Sequence, residues 1–202
     1  MEEKNRFDTE LEQLLCNLHD ADPFIQRRAA VTLGKRRETS AVADLVKLLK
    51  DDATAWEFAG DAASALGEIG DLTAVPALIA ALDKPFVRGR AIEALAQLHD
   101  ERAIDPLIEV FARRPDPSVA TVLGNWGDRR AVDPLINAMD NPDSHVRFYT
   151  ARALGKLGDS RALPALERAV TTDTTLITDA QSLRGKSVAY AAQRAIRQIK
   201  KR

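Results

Sequence analysis

A Leu-Gly step recurs along this 202-residue chain at Leu33-Gly34, Leu66-Gly67, Leu123-Gly124 and Leu154-Gly155, with Leu95-Ala96 at the corresponding place between them. The spacings are 33, 29, 28 and 31 residues. This period restricts the fold more than any other property of the chain. A unit of roughly 30 residues cannot bury its apolar face alone and must stack on copies of itself. Each period holds two apolar stripes at helical spacing. The clearest lies between Asp143 and Val170, where Val146, Thr150, Ala153, Leu154 and Leu157 form the first stripe and Leu163, Leu166 and Val170 the second. Gly155 and Gly158 are expected to weaken the first helix of the pair, and Asp159 to cap the second. No strand-like alternation competes with this pattern.

The expected architecture is therefore all-α: an α-solenoid with a right-handed superhelical path, forming one domain over residues 1–202. Residues 8–19 carry Leu11, Leu14, Leu15 and Leu18, the stripe of a second helix without its first, and read as an N-terminal half-repeat cap. Helix pairs follow at 22–50, 54–82, 84–113, 115–140 and 142–170. Pro76, Pro106, Pro134 and Pro164 fall in the first turn of second helices, where a missing N–H costs little. Pro115 and Pro117 are expected to cut the first helix of the fourth pair to about two turns. A polar, Thr-rich loop is expected at 171–183 and a closing cap helix at 184–202.

Composition narrows the function classes. Hydrophobic content of 45% and charged content of 29% describe a folded protein rather than a disordered one. A formal charge of -1 gives no global pull towards nucleic acid or anionic membrane, so neither is an expected partner. The one cysteine, Cys16, excludes an internal disulfide and suits a reducing compartment. The start MEEKNRFDTELEQ is too charged for a signal peptide, and the apolar run Ala74 to Leu82 is too short to span a bilayer. A cytoplasmic protein, monomeric by default, is expected.

Catalytic signatures are weak. His19, His99 and His145 belong to different units without metal-ligand spacing. Gly67-Glu68-Ile69-Gly70 joins two helices and lacks the Lys-Ser/Thr of a phosphate loop. Nothing local would activate the Cys16 thiol. No catalytic residue, metal or cofactor is expected on these grounds. Trp126 aligns with core positions, whereas Trp56 stands at the exposed start of a first helix and reads either as an interface anchor or as packing under a neighbouring turn. Arg88 and Arg147, with the turn carboxylates Asp71, Asp100, Asp128 and Asp159, read as a structural ladder between units.

The series Asp143, Val146, Arg147, Ala153, Leu154, Gly155, Leu157, Gly158, Asp159, Ala162, Leu163 and Leu166 resembles the HEAT repeat, in the variety named for phycobilisome lyases. Other units depart from it: Ala59 fills the arginine slot of the second, Ala96 and His99 replace both glycines of the third, and the fourth lacks the Val-Arg pair. The resemblance implies helix pairs whose second helices line a concave face. It also implies a family that includes both plain scaffolds and subunits attaching or removing bilins on phycobiliproteins. The leading expectation is a non-catalytic scaffold that binds a protein partner on the concave face through Asp105, Glu109, Asp133 and Asn137, with Trp56 a peripheral anchor. The alternative is a bilin lyase or chromophore-handling subunit. The bilin propionates would then need cations beside an aromatic slot, for which Arg113, Arg129, Arg147 and Tyr149 are the candidates.

Overall fold

In the computed structural model of the protein, which describes residues 2–51, 54–177 and 186–201, the 3.6-residue stripes become helices. An opening helix, α1 (Glu2–Asn17), is followed, repeat by repeat along the chain, by α2 (Pro23–Arg36) and α3 (Val42–Lys50), α4 (Trp56–Ile69) and α5 (Val75–Ala81), α6 (Arg88–Leu98) and α7 (Ile104–Arg113), α8 (Pro117–Trp126) and α9 (Val132–Asn137), and α10 (Ser144–Leu157) and α11 (Leu163–Thr172). The helix α12 (Val188–Ile199) follows. The fold is the all-α solenoid of stacked helix pairs that the period dictates. Among the described residues, strand pairing is limited to an antiparallel pairing of Leu176–Ile177 with Lys186–Ser187. Of the loop expected at 171–183, Thr171 and Thr172 finish α11, and residues 178–183 lie outside the described residues.

The chain forms two compact units, Met1–Ala103 and Ile104–Arg202. In the first, α2, α4 and α6 stack as a row of first helices, α1 packs on α2, and α3 lies against α4 and α5. In the second, α8, α10 and α12 form the equivalent row, with α9 against α10 and α11 against α12. Leu33, Leu66, Leu95, Leu123 and Leu154, the leucines of the recurring step, are all buried.

The first glycine of the motif does not end the helix, contrary to the expectation for Gly155. It sits inside the helix, where the next first helix comes closest. A Cβ added to Gly124 would lie 2.6 Å from the Ala153 Cα, and one added to Gly155 2.8 Å from the Ala195 Cα. The second glycine terminates the helix: Gly158 adopts a left-handed φ of 72° and its N–H bonds to the Leu154 carbonyl. Arg37 and His99 occupy that slot in two other units, at φ 55° and 50°.

Caps set the starts. Asp22, Asp116 and Asp143 each accept a hydrogen bond from a backbone N–H two residues on. Asp116 also explains why α8, at ten residues, keeps nearly three turns rather than two. Its carboxylate restores the cap between the two prolines. One core position is imperfect: the Thr150 hydroxyl is fully buried and has no hydrogen-bond partner.

Candidate functional site

In the turns after α4, α6, α8 and α10 an aspartate accepts a hydrogen bond from the backbone N–H two residues on, whereas Glu38 in the turn after α2 makes no such cap. The Asp100, Asp128 and Asp159 carboxylates accept the backbone N–H and the guanidinium of Arg102, Arg130 and Arg161 respectively. Each arginine then reaches back to the preceding second-helix segment. Arg130 Nη1 donates to Asp105 at 2.7 Å, and Arg161 Nη1 to Asp133 at 2.9 Å. Arg102 Nη2 meets the Leu72 carbonyl instead, at 2.8 Å. The corresponding second-helix position in that unit is Pro76, which has no carboxylate to offer. The Arg102 guanidinium, then the Arg102 N–H, hold the Asp100 carboxyl down to about 2. Arg130 and Arg161 push Asp128 and Asp159 in the same direction.

This ladder differs from the expected one. Its arginines are Arg102, Arg130 and Arg161, not Arg88 and Arg147. The signal was present as Asp-x-Arg in three turns. Arg88 and Arg147 instead clamp the loop before their own helix. Arg88 Nε donates to the Leu82 carbonyl and Arg147 Nη1 to the Asn141 carbonyl, each six residues back. Arg147 Nε also pairs with Asp173 at 2.5 Å. Burial pushes the Asp173 carboxyl up, but hydrogen bonds from Arg147 and Thr175 outweigh it and the net direction is down.

These pairings redraw the surface proposed for partner binding. Asp105 and Asp133 are neutralised by ladder arginines, while Glu109 and Asn137 are exposed on α7 and α9. A shallow groove lined by Phe111, Pro115, Asp133, Pro134, Asn137 and Asp140 runs beside α9. Trp56, in the other unit, is half exposed and its ring centroid lies 5.3 Å from that of Phe86, which is 72% exposed.

The four bilin candidates do not converge. Arg147 sits in the first turn of α10 with its donors engaged, and Arg129 pairs at 3.4 Å with Asp159, just past the other end of that helix. Ten helical steps from Arg147 to Leu157 separate those ends by about 15 Å. Arg113 is exposed at the end of α7. Tyr149 belongs to a different cluster. Its ring meets Phe148 edge-on at 5.3 Å, and the Arg152 Cζ lies 5.3 Å from the Tyr149 centroid and 5.8 Å from that of Phe148. Beyond this cluster a groove opens between α10 and α12, lined by Phe148, Arg152, Lys156, Tyr190, Arg194 and Gln198. Among the described residues no helix is long and apolar enough to cross a membrane, and no group of three or more His, Cys, Asp or Glu is placed to hold a metal.

The family described as HEAT repeats matches residues 9–85, 53–122 and 118–184. The phycocyanobilin lyase subunit alpha of Nostoc sp. is 33% identical over 170 residues, which is 72% of this chain and 62% of that protein. The bilin biosynthesis protein PecE of Mastigocladus laminosus is 33% identical over 120 residues, 55% of this chain and 45% of that protein. The chain thus spans less than two thirds of the length of these relatives. Among solved structures, the complex of CpcE and CpcF of phycocyanin lyase from Nostoc sp. aligns with a TM-score of 0.64 at 28% identity, covering 80% of this chain and 70% of the matched one. These likenesses overturn the expectation of a non-catalytic recognition scaffold. The relatives are a phycocyanobilin lyase subunit and a bilin biosynthesis protein, and the solved neighbour is a phycocyanin lyase, so the alternative fits better.

Proposed function

We propose that this chain, which belongs to the HEAT-repeat family, handles a bilin chromophore as one subunit of a lyase that acts on a phycobiliprotein. The observation that carries the reading is the likeness to a phycocyanobilin lyase alpha subunit, which extends over 170 residues rather than over one repeat. A shared repeat pattern alone would match helix-pair proteins of any activity. The matched solved structure is a complex of two proteins, which supports a protein partner for this chain as well.

The structure bears on how such a subunit would work. Within each unit, the stacked first helices, locked by glycine contacts, give a rigid frame. A rigid surface lowers the ordering cost of holding a flexible linear tetrapyrrole in one shape. A bilin presents two propionates and a conjugated, largely apolar body. It therefore needs guanidinium or ammonium groups beside aromatic rings. Tyr149, with Phe148 and Arg152, supplies that combination; Arg129 and Arg147 are engaged in the frame.

The test is affinity capture with the chain as bait, from the organism that encodes it, read by mass spectrometry and visible absorbance. Recovery of phycobiliprotein subunits, or of a coloured eluate, is the expected result. Stoichiometric recovery of unrelated proteins, without bilin or phycobiliprotein, would contradict the proposal.

A further inference from the structure

We infer that the groove between α10 and α12 is a binding site for the carboxylate end of a flat, conjugated ligand, and that in this protein the ligand is the bilin; the inference rests on the function proposed above. Two ridges face each other there. On α10, Phe148, Arg152 and Lys156 recur at four-residue spacing, and on α12 Tyr190, Arg194 and Gln198 do the same. Each ridge therefore reads aromatic ring, guanidinium, polar tip. The lining holds three cationic side chains and no carboxylate.

A groove along α2 also carries Arg27, Arg28 and Lys35 with no carboxylate in its lining, but there Arg27 is held by Asp61 from α4. Arg102, Arg130, Arg147 and Arg161 all have aspartate partners. Among the described residues, neither Arg152 nor Arg194 has an acidic partner, and Lys156 donates to the amide oxygen of Asn125. The Arg152 guanidinium is instead flanked by the rings of Phe148 and Tyr149. Ring contact of this kind positions a guanidinium and leaves its in-plane N–H groups for a bidentate carboxylate. Tyr190, half exposed across the groove, offers a second flat face. The width is set by Gly155: a side chain there would meet Gln198 Oε1 at 2.5 Å and the Ala195 Cα at 2.8 Å. The glycine that lets the helices pack also holds both ridges close enough to act on one ligand.

The experiment titrates the full chain with free phycocyanobilin and follows the visible band. It is repeated with the bilin dimethyl ester and with the Arg152→Ala/Arg194→Ala double variant. Because both side chains are exposed, the variant should melt with the wild type; Arg168→Ala, on α11, serves as a control for loss of an arginine outside the groove. The wild type is expected to bind the free acid. The double variant should bind about tenfold or more weakly, since charged hydrogen bonds to the carboxylates are lost. The ester should be weakened similarly, and Arg168→Ala should not be. Equal affinity for acid and ester, or an unaffected double variant, would overturn the groove and leave bilin handling standing elsewhere on the chain. No binding by the wild type would overturn the groove too. In that case reconstituted attachment to a phycobiliprotein decides the wider function: attachment that depends on the chain preserves it, and its absence removes both.

Discussion

At the residue scale, the Leu-Gly step owes its recurrence to packing between neighbouring first helices rather than to chain termination. Gly124 is the most demanding instance, because the nearest atoms to its missing side chain are the Cα and Cβ of Ala153, at 2.6 and 2.7 Å. Backbone cannot move aside as a flexible side-chain tip can. Gly124→Ala should therefore destabilise the protein by about 1–3 kcal/mol despite the better helix propensity of alanine. Gly89 has nothing within 4 Å of its missing Cβ, so Gly89→Ala should be neutral or stabilising by up to about 1 kcal/mol. Denaturant melts of the two variants check both signs. The leucines of this step were legible in the sequence from their spacing alone. The role of the glycine was not, because its reason lies in a residue some 30 positions away: Ala153 for Gly124, Ala195 for Gly155.

At the scale of the elements, the turns at Asp100, Asp128 and Asp159 are pinned by carboxylate–guanidinium pairs whose acids titrate below their ordinary range. Asp100 shows this most clearly, at about 2 against 3.8. A depressed carboxyl stabilises the fold at pH values above its ordinary pKa, and loses that contribution as the pH falls through its folded value. The pairs should thus act fully above about pH 5 and fade towards pH 2. Asp100→Asn should melt below the wild type at neutral pH, and the gap should close as the pH falls from 4 to 2. A gap independent of pH would assign the effect to packing. The sequence displayed the Asp-x-Arg pairs openly at 100/102, 128/130 and 159/161. It did not display their second partners. That Asp105 and Asp133 answer Arg130 and Arg161 depends on how one unit lies on the next, and it turns two apparent docking carboxylates into parts of the frame. Arg147 changed role for the same reason, because its partner Asp173 lies beyond α11.

At the scale of the whole molecule, the helix-pair architecture follows from the period, whereas the candidate site does not. Phe148, Arg152, Tyr190 and Arg194 come from two helices separated by a whole pair member and a connection, and only the packed structure places them on one groove. Tyr149 pointed to this neighbourhood; Arg113, Arg129 and Arg147, the cations expected beside it, lie apart from it. The claim that unites the frame, the groove and the kinship is that this chain takes part in placing a bilin on a protein. It is tested most directly by incubating phycobiliprotein apoprotein with phycocyanobilin and the partner recovered by capture, with and without this chain, and measuring visible absorbance on the denatured polypeptide. Colour that survives denaturation is expected only when the chain is present. Equal colour with and without it, under conditions where the chain is folded and bound to its partner, would contradict the account.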